Sequence, residues 1–401
     1  MSWPTMVLAE HTTTITKGTT PTSLGFTFED SGVPFVRVQN IEGGTISFGN
    51  DALFVSQSTH NALRRSKIYP NDLLISIAGT IGRAGIVPHD FPEMNCNQAV
   101  AIVRPHENMD RRYLLHWLSS EDAMKQIRQS KVTATIPNLS LGQIGALKIP
   151  LPPLPEQRRI AGILDQADAL RRLRRQSLSR LADLGQAIFY EMFGEPAANP
   201  KGWKKVNLVE CVTSSDDIRC GPFGTQLLRE EFQESGIPLW GIKQVNRSFS
   251  IPTHEYVTQK KAAELTNYSI LPGDIVMTRK GTIGNCSVYP QDYPEGIMHS
   301  DLLRLRLDRK KCEPEFISDQ LHFSQDVQHQ IALISGGAIM QGINVGRLKQ
   351  IKVLWLPKTS QEEYVRRVNA VQSKRSTACG HEHALDFLFA SLQHRAFRGE
   401  L

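Results

Sequence analysis

At 401 residues, 40% apolar and 21% charged, the chain has the ordinary balance of a globular protein and room for two or three domains. Its net charge of +6 favours a polyanionic partner. Six cysteines with no Cys-x-x-Cys pair suggest neither a zinc site nor a disulfide framework, and no apolar run is long enough to span a bilayer. With no signal peptide expected at the N-terminus, a reduced, cytoplasmic setting fits.

In chain order, Val33 to Val38, Leu73 to Ile77, Gly85 to Val87 and Ala99 to Val103 are β-rich runs punctuated by Gly, Asn, Asp and Pro. Tyr113 to Gln129 has the spacing of an amphipathic helix, and a small, polar loop from Thr133 to Asn138 precedes a last strand. Then comes Leu-Pro-Pro-Leu-Pro-Glu-Gln from Leu151. Prolines bar helix through Pro153, so a long helix is predicted to start at or just after Pro155 and to stop at Gly194 and Pro196. Its apolar stripe is Ile160, Leu164, Ala167, Leu170, Leu173, Leu181, Leu184, Ile188 and Met192.

The chain then repeats itself. Trp3, Leu8 and Glu10 match Trp203, Leu208 and Glu210; Gly32-Val33-Pro34 matches Gly236-Ile237-Pro238; Asp72-Leu73-Leu74 matches Asp274-Ile275-Val276. Gly79-Thr80-Ile81-Gly82 matches Gly281-Thr282-Ile283-Gly284, and Pro153 and Gln157 fall over Pro357 and Gln361. The copied strands are Pro238 to Val245, Asp274 to Thr278, Cys286 to Tyr289 and Leu302 to Leu307; the copied helix is Glu315 to Leu333, followed by a loop from Ser335 to Gln341. A second long helix, Ser360 to Arg398, carries Tyr364, Val371, Ala378, Leu385 and Leu392 at heptad spacing, with Val368, Phe389 and Ala396 on a second line that Arg375 and Glu382 interrupt. An apolar stripe needs a partner, so either the two long helices pair or each packs on its own block.

The fold class expected is α+β: two repeated domains, each followed by a long helix, the helices pairing as an antiparallel coiled coil. The divisions are residues 1–150, 151–195, 196–357 and 358–401.

Each motif has a plain reading beside a functional one. Either Gly-Thr-Ile-Gly segment is a tight turn between strands or a turn approaching a phosphate; neither is a P-loop, for want of the Lys and Ser or Thr after the last Gly. Asp72 and Asp274 read as turn residues. His381-Glu382-His383 lacks metal-ligand spacing on a helix. Arg171-Arg172-Leu173-Arg174-Arg175 is either a solvated helix face or a landing site for phosphate or an acidic partner. No Asn-Pro-Pro-Tyr, Asp-Pro-Pro-Tyr, Phe-x-Gly-x-Gly or Walker A motif is present, and no nucleophile stands with a base and an acid, so no catalytic or metal residue is assigned.

The repeat, the junction Ile149-Pro150-Leu151-Pro152-Pro153-Leu154-Pro155-Glu156-Gln157, Asp72-Leu73-Leu74 and Gly79-Thr80-Ile81-Gly82 together resemble the DNA-specificity subunit of type I restriction-modification enzymes. The second junction, Leu356-Pro357-Lys358-Thr359-Ser360-Gln361, departs from that pattern. The resemblance implies a non-catalytic targeting subunit whose two target-recognition domains each read half of a bipartite, asymmetric double-stranded DNA site. The helices would set the gap and dock two modification (methyltransferase) subunits. S-adenosylmethionine, ATP and Mg would belong to those and to the restriction subunits, with no cofactor in this chain and no membrane partner.

DNA contacts are then expected from Arg37, Gln39, Asn40, Thr80, Arg83, Lys131, Thr133 and Thr135 in the first domain. In the second they are Lys243, Gln244, Asn246, Arg247, Arg279, Lys280, Thr282, Asn285 and Gln341. Partner contacts are expected from Arg158, Arg159, Arg171, Arg172, Arg174 and Arg175. The rivals are a free-standing bivalent DNA-binding regulator, an enzyme with unfamiliar motifs, and a pure coiled-coil scaffold.

Overall fold

The computed structural model describes residues 3–129, 138–335 and 342–401. The chain divides into two compact units, Met1–Gln176 with Cys379–Leu401, and Ser177–Ala378. Each unit holds a share of both long helices, Leu154–Phe193 and Lys358–Arg398.

In the first unit, Thr5–Val7 pairs antiparallel with Lys148–Pro150, tying the start of the unit to the strand that leads into the central helix. One sheet runs in the spatial order Thr12–Lys17, Val100–Pro105, Leu73–Ser76, Ala84–Ile86, Gly44–Ile46, Ile41–Glu42. The other runs Leu53–Val55, Val33–Val36, Met94–Cys96, Lys67–Ile68, with the pair Val33–Val36 and Met94–Cys96 parallel. Leu73 to Ile75 and Val100 to Val103 are fully covered because side chains alternate between two cores. Leu73, Ile75, Ala101 and Val103 face Tyr113 and Trp117; Leu74, Val100 and Ile102 face Val36, Ile68 and Met94.

The second unit repeats this plan: Lys204–Asn207 with Lys352–Trp355, the sheet Ile218–Cys220, Leu302–Leu305, Ile275–Thr278, Cys286–Val288, and the sheet Tyr256–Val257, Ile237–Trp240, Gly296–Met298, Ser269–Ile270. Among the described residues it lacks the two extra strands at Ile41–Glu42 and Gly44–Ile46, and the short helix Ile242–Val245 stands where the first unit has the short helical turn Val38–Asn40. The strand expected over Pro238 to Val245 therefore ends at Trp240. Gln244 is the local cause, since its Oε1 accepts the Gly241 N–H at 3.2 Å and its Nε2 donates to Pro252 O at 3.2 Å, curling the chain.

Each predicted amphipathic helix is two helices. Arg111–Leu118 and Glu121–Gln129 break at Ser120, whose Oγ donates to Trp117 O at 2.6 Å and accepts from Ala123 N. Pro314–Phe323 and Gln325–Ser335 break at Ser324, whose Oγ accepts from Val327 N. A serine hydroxyl that competes with the backbone starts a new helix in both copies.

The central helix begins at Leu154, one residue before the position expected, because Pro155 falls in the first turn, where no N–H is needed. At 40 residues it is about 60 Å long. Its predicted stripe is displaced in the middle: Ile160, Leu164 and Ile188 are buried, but Leu170, Leu173 and Leu184 are exposed. Beside Leu170 and Leu173 the inward position is taken by Arg171, whose guanidinium lies 4.3 Å over the Phe389 ring and pairs with Asp386 at 2.6 Å. On the C-terminal helix the apolar residues of both heptad lines are buried or half-buried, Tyr364, Val368, Ala378, Phe389 and Ala396 most fully, and Arg375 is exposed. In the first unit Ile160, Ala161 and Leu164 share a core with Phe389, Ala396 and Phe397; in the second Ile188, Phe189 and Phe193 share one with Tyr364 and Val368.

The junction glutamines explain the repeated Pro and Gln. Gln157 is 1% exposed; its Oε1 accepts from Asp110 N at 2.8 Å, and its Nε2 donates to Pro152 O at 2.9 Å and Asn108 O at 3.2 Å. Gln361 does the same with Glu313 N, Leu356 O and Lys311 O. Each clamps the start of a long helix to its own domain. The departure of the second junction from the first motif spares this contact.

Candidate nucleic-acid interface

The Gly-Thr-Ile-Gly segments are tight turns joining antiparallel strands. Gly82 N donates to Ser76 O and Gly284 N to Thr278 O, both at 3.0 Å. Both glycines have positive φ, and a Cβ on either would meet Met124 Sδ at 2.7 Å or Ile331 Cγ2 at 2.8 Å. With those amides turned inward, any phosphate contact would come from side chains on the turn: exposed Thr80 and Arg83 in one unit, and Lys280, Thr282 and half-buried Asn285 in the other.

Asp72 and Asp274 shape the preceding turns and do one thing more. Asp72 accepts from Tyr69 N at 2.8 Å and is gripped by Arg104 at 2.7 and 2.6 Å; Asp274 accepts from Leu271 N at 2.8 Å and is gripped by Arg306. These buried carboxylates lock the strand before each glycine turn to the neighbouring strand.

Beside the turn of the second unit, Asn246 Oδ1 accepts from Thr282 Oγ1 at 2.8 Å and from Asn285 Nδ2 at 2.7 Å. These three, with Lys243, Arg247 and Ile251, line a shallow depression of about 610 Å³. Lys243 and Arg247 are exposed and form no ion pair among the described residues. A second depression of about 350 Å³ lies next to it, lined by Gly241, Lys243, Gln244, Thr253, His254 and Asp301 among others. Lys280 pairs with Asp301 at 2.9 Å, while Arg279 donates from Nε to Ile343 O at 3.1 Å and stacks 4.8 Å over the half-exposed Phe223 ring. Five of the nine residues expected in this domain thus border one basic, polar concavity.

The first unit is built differently at the same place. Arg37 Nη2 donates to Asp51 Oδ2 at 2.8 Å and to Asp51 O at 2.7 Å, and Gln39 Nε2 donates to the same Oδ2 at 2.6 Å. Asn40 is buried, accepting from Arg37 N at 2.8 Å and donating to Ser47 O at 3.0 Å. It therefore shapes the loop, as Gln244 does in the second copy. Lys131, Thr133, Thr135 and Gln341 lie outside the described residues. No spacing rule draws attention to Asp51, Phe223 or Asp301, because their partners lie far off in the sequence.

Of the arginines expected to meet partners, four are engaged within the first unit. Arg159 forks onto Glu156 at 2.7 Å, Arg171 pairs with Asp386 and Asp168, Arg172 with Asp168 at 3.2 Å, and Arg175 with Glu382 at 3.2 Å and Asp386 at 3.1 Å. Hydrogen bonding from Arg171 holds the Asp386 carboxyl below its ordinary range. Arg158 is exposed and Arg174 half-buried. Among the described residues no group of three or more His, Cys, Asp or Glu stands in a metal-binding array, and no helix is long and apolar enough to cross a membrane.

A model of the type I restriction modification DNA specificity domain matches residues 10–182. The type I restriction enzyme EcoKI specificity subunit of Escherichia coli strain K12 is 25% identical over 405 residues, spanning 93% of this chain and 83% of that protein. These similarities support a type I specificity subunit. The EcoBI specificity subunit of Escherichia coli is 31% identical over 182 residues, which cover 44% of this chain and only 37% of that subunit. A solved chain from work on complex assembly and conformational transition of the type I R-M system shares the fold seen here, with a TM-score of 0.61 at 20% identity over 100% of this chain and 98% of that one. The sequence similarities support DNA sequence recognition as the chain's coarse role.

Proposed function

We propose that each unit reads one half of a bipartite, asymmetric double-stranded DNA target and that the long helices, paired as an antiparallel coiled coil, set the gap between the halves. The observation that carries this reading is the repeat with one difference: two copies of one sheet plan diverge at the loop after the strands Val33–Val36 and Ile237–Trp240. Two related readers with different loops suit two different half-sites. Antiparallel pairing is supported by the shared cores, which join the start of the central helix to the end of the C-terminal one, and its end to that helix's start.

In this reading the chain directs chemistry without performing it. Two modification subunits, bringing S-adenosylmethionine, dock on the helices, and restriction subunits bring ATP and Mg. Arg158 and Arg174, on the central helix, are available to such partners. Phosphate contacts come from Arg83, Lys243, Arg247, Arg279 and Lys280, which makes binding fall steeply with salt.

The test is selection and sequencing of random duplexes bound by this chain co-expressed with the methyltransferase encoded beside it. Two different short motifs at one fixed gap are expected; a single ungapped motif refutes the split-site reading.

A further inference from the structure

The strand registers place one position of the two units in direct correspondence. Val33 pairs with Val55, and Ile237 pairs with Val257, so Asp51 in the first unit stands where Thr253 stands in the second. Likewise Arg37 corresponds to Gly241 and Gln39 to Lys243. Thr253 is buried and donates its hydroxyl to Leu239 O at 2.8 Å, and Gly241 has no side chain, so a depression remains there. The first unit fills that place with a carboxylate whose side chain is 63% exposed.

That carboxylate is held from one side. Oδ2 takes both Arg37 and Gln39, whereas Oδ1 accepts no hydrogen bond among the described residues. A phosphate would be repelled by it. The DNA group it suits is a donor on a base edge, and in the major groove carboxylates take the N4 amino group of cytosine. The two cationic or amide side chains offset the charge and fix the direction of the free oxygen.

We infer that Asp51 is a specificity-determining residue of the first half-site, accepting a hydrogen bond from a cytosine amino group, with Arg37 and Gln39 as its positioning residues. This rests on the split-site reading. The test repeats the duplex selection on the complex with Asp51→Asn and Asp51→Ala, and with Gln244→Ala, which removes the loop brace of the second unit, to identify which half-site belongs to that unit. Wild-type complex should select cytosine at one position of the first half-site. Asp51→Asn should lower the cytosine preference there by ~10-fold or more and favour adenine, which asparagine reads, leaving the other positions, the gap and the second half-site unchanged. Unchanged preference overturns the inference. So does loss of the whole first half-site in both Asp51 variants, which would make Asp51 a loop brace. Wild-type complex that selects no split motif removes the underlying reading, and this inference with it.

Discussion

The junction glutamines make a quantitative prediction. Gln157→Ala removes three hydrogen bonds, to Asp110 N, Pro152 O and Asn108 O, at a site that is 1% exposed and offers no water in exchange. At about 1 kcal/mol net for each bond, the clamp is worth about 3 kcal/mol, and orphaned buried groups push the loss upward. The cost falls on the contact between the helix start and the N-terminus of Arg111–Leu118, so a local probe suits it better than a global unfolding curve of a two-unit chain. In hydrogen exchange, protection of the Asp110 amide should drop about a hundredfold, since each 1.4 kcal/mol is tenfold. The Glu313 amide, held by Gln361 in the other unit, should not change, and Gln361→Ala should give the mirror result. Gln157→Glu should lose at least as much near neutral pH, because a carboxylate would face two carbonyl oxygens. Asp110 protection falling less than about fivefold in Gln157→Ala would refute the clamp.

Four residues inserted after Arg174 add about 6 Å of helix and should shift the preferred gap by about two base pairs without altering either half-site; an unchanged gap refutes the ruler role. Lys243→Ala and Arg247→Ala should each reduce the slope of log K against log salt by about 1, and a slope equal to wild type would remove them from the phosphate contacts. Asp319 is lifted to about 6 by burial, opposed by the Tyr364 hydroxyl that donates to it at 2.6 Å and assisted by Glu315. The folded chain then keeps a proton that the unfolded chain has released, so stability falls as pH rises from about 4 to 6 and levels off above. Asp319→Asn should flatten that window in urea titrations and stabilise on the order of 3 kcal/mol at pH 7; an unaltered pH dependence refutes the assignment.

Much of the architecture is legible in local pattern. Prolines before Pro155 and Gly194 after Phe193 bound the central helix, heptads from Tyr364 to Ala396 mark the buried side of the second, and the glycines of Gly-Thr-Ile-Gly mark turns that only glycine can make against Met124 and Ile331. These features depend on residues a few positions apart, and the duplication writes each of them twice. The breaks at Ser120 and Ser324 are less visible, because a serine on a helical pattern declares itself as a cap only once its Oγ has a partner.

The sequence by itself determined the repeat, the two long helices, the turns and the family resemblance, since periodicity, proline and glycine act through neighbouring backbone. Tertiary structure alone decided which face of the central helix is inward, because Leu170 and Arg171 differ by one position and the choice falls to Phe389 and Asp386 more than two hundred residues on. It also decided that Gln157 clamps a helix and that Asp51 stands at the head of Arg37 and Gln39. Each of these is a hydrogen bond or ion pair across chain separations that no spacing rule encodes, so its energy exists only after the elements have packed.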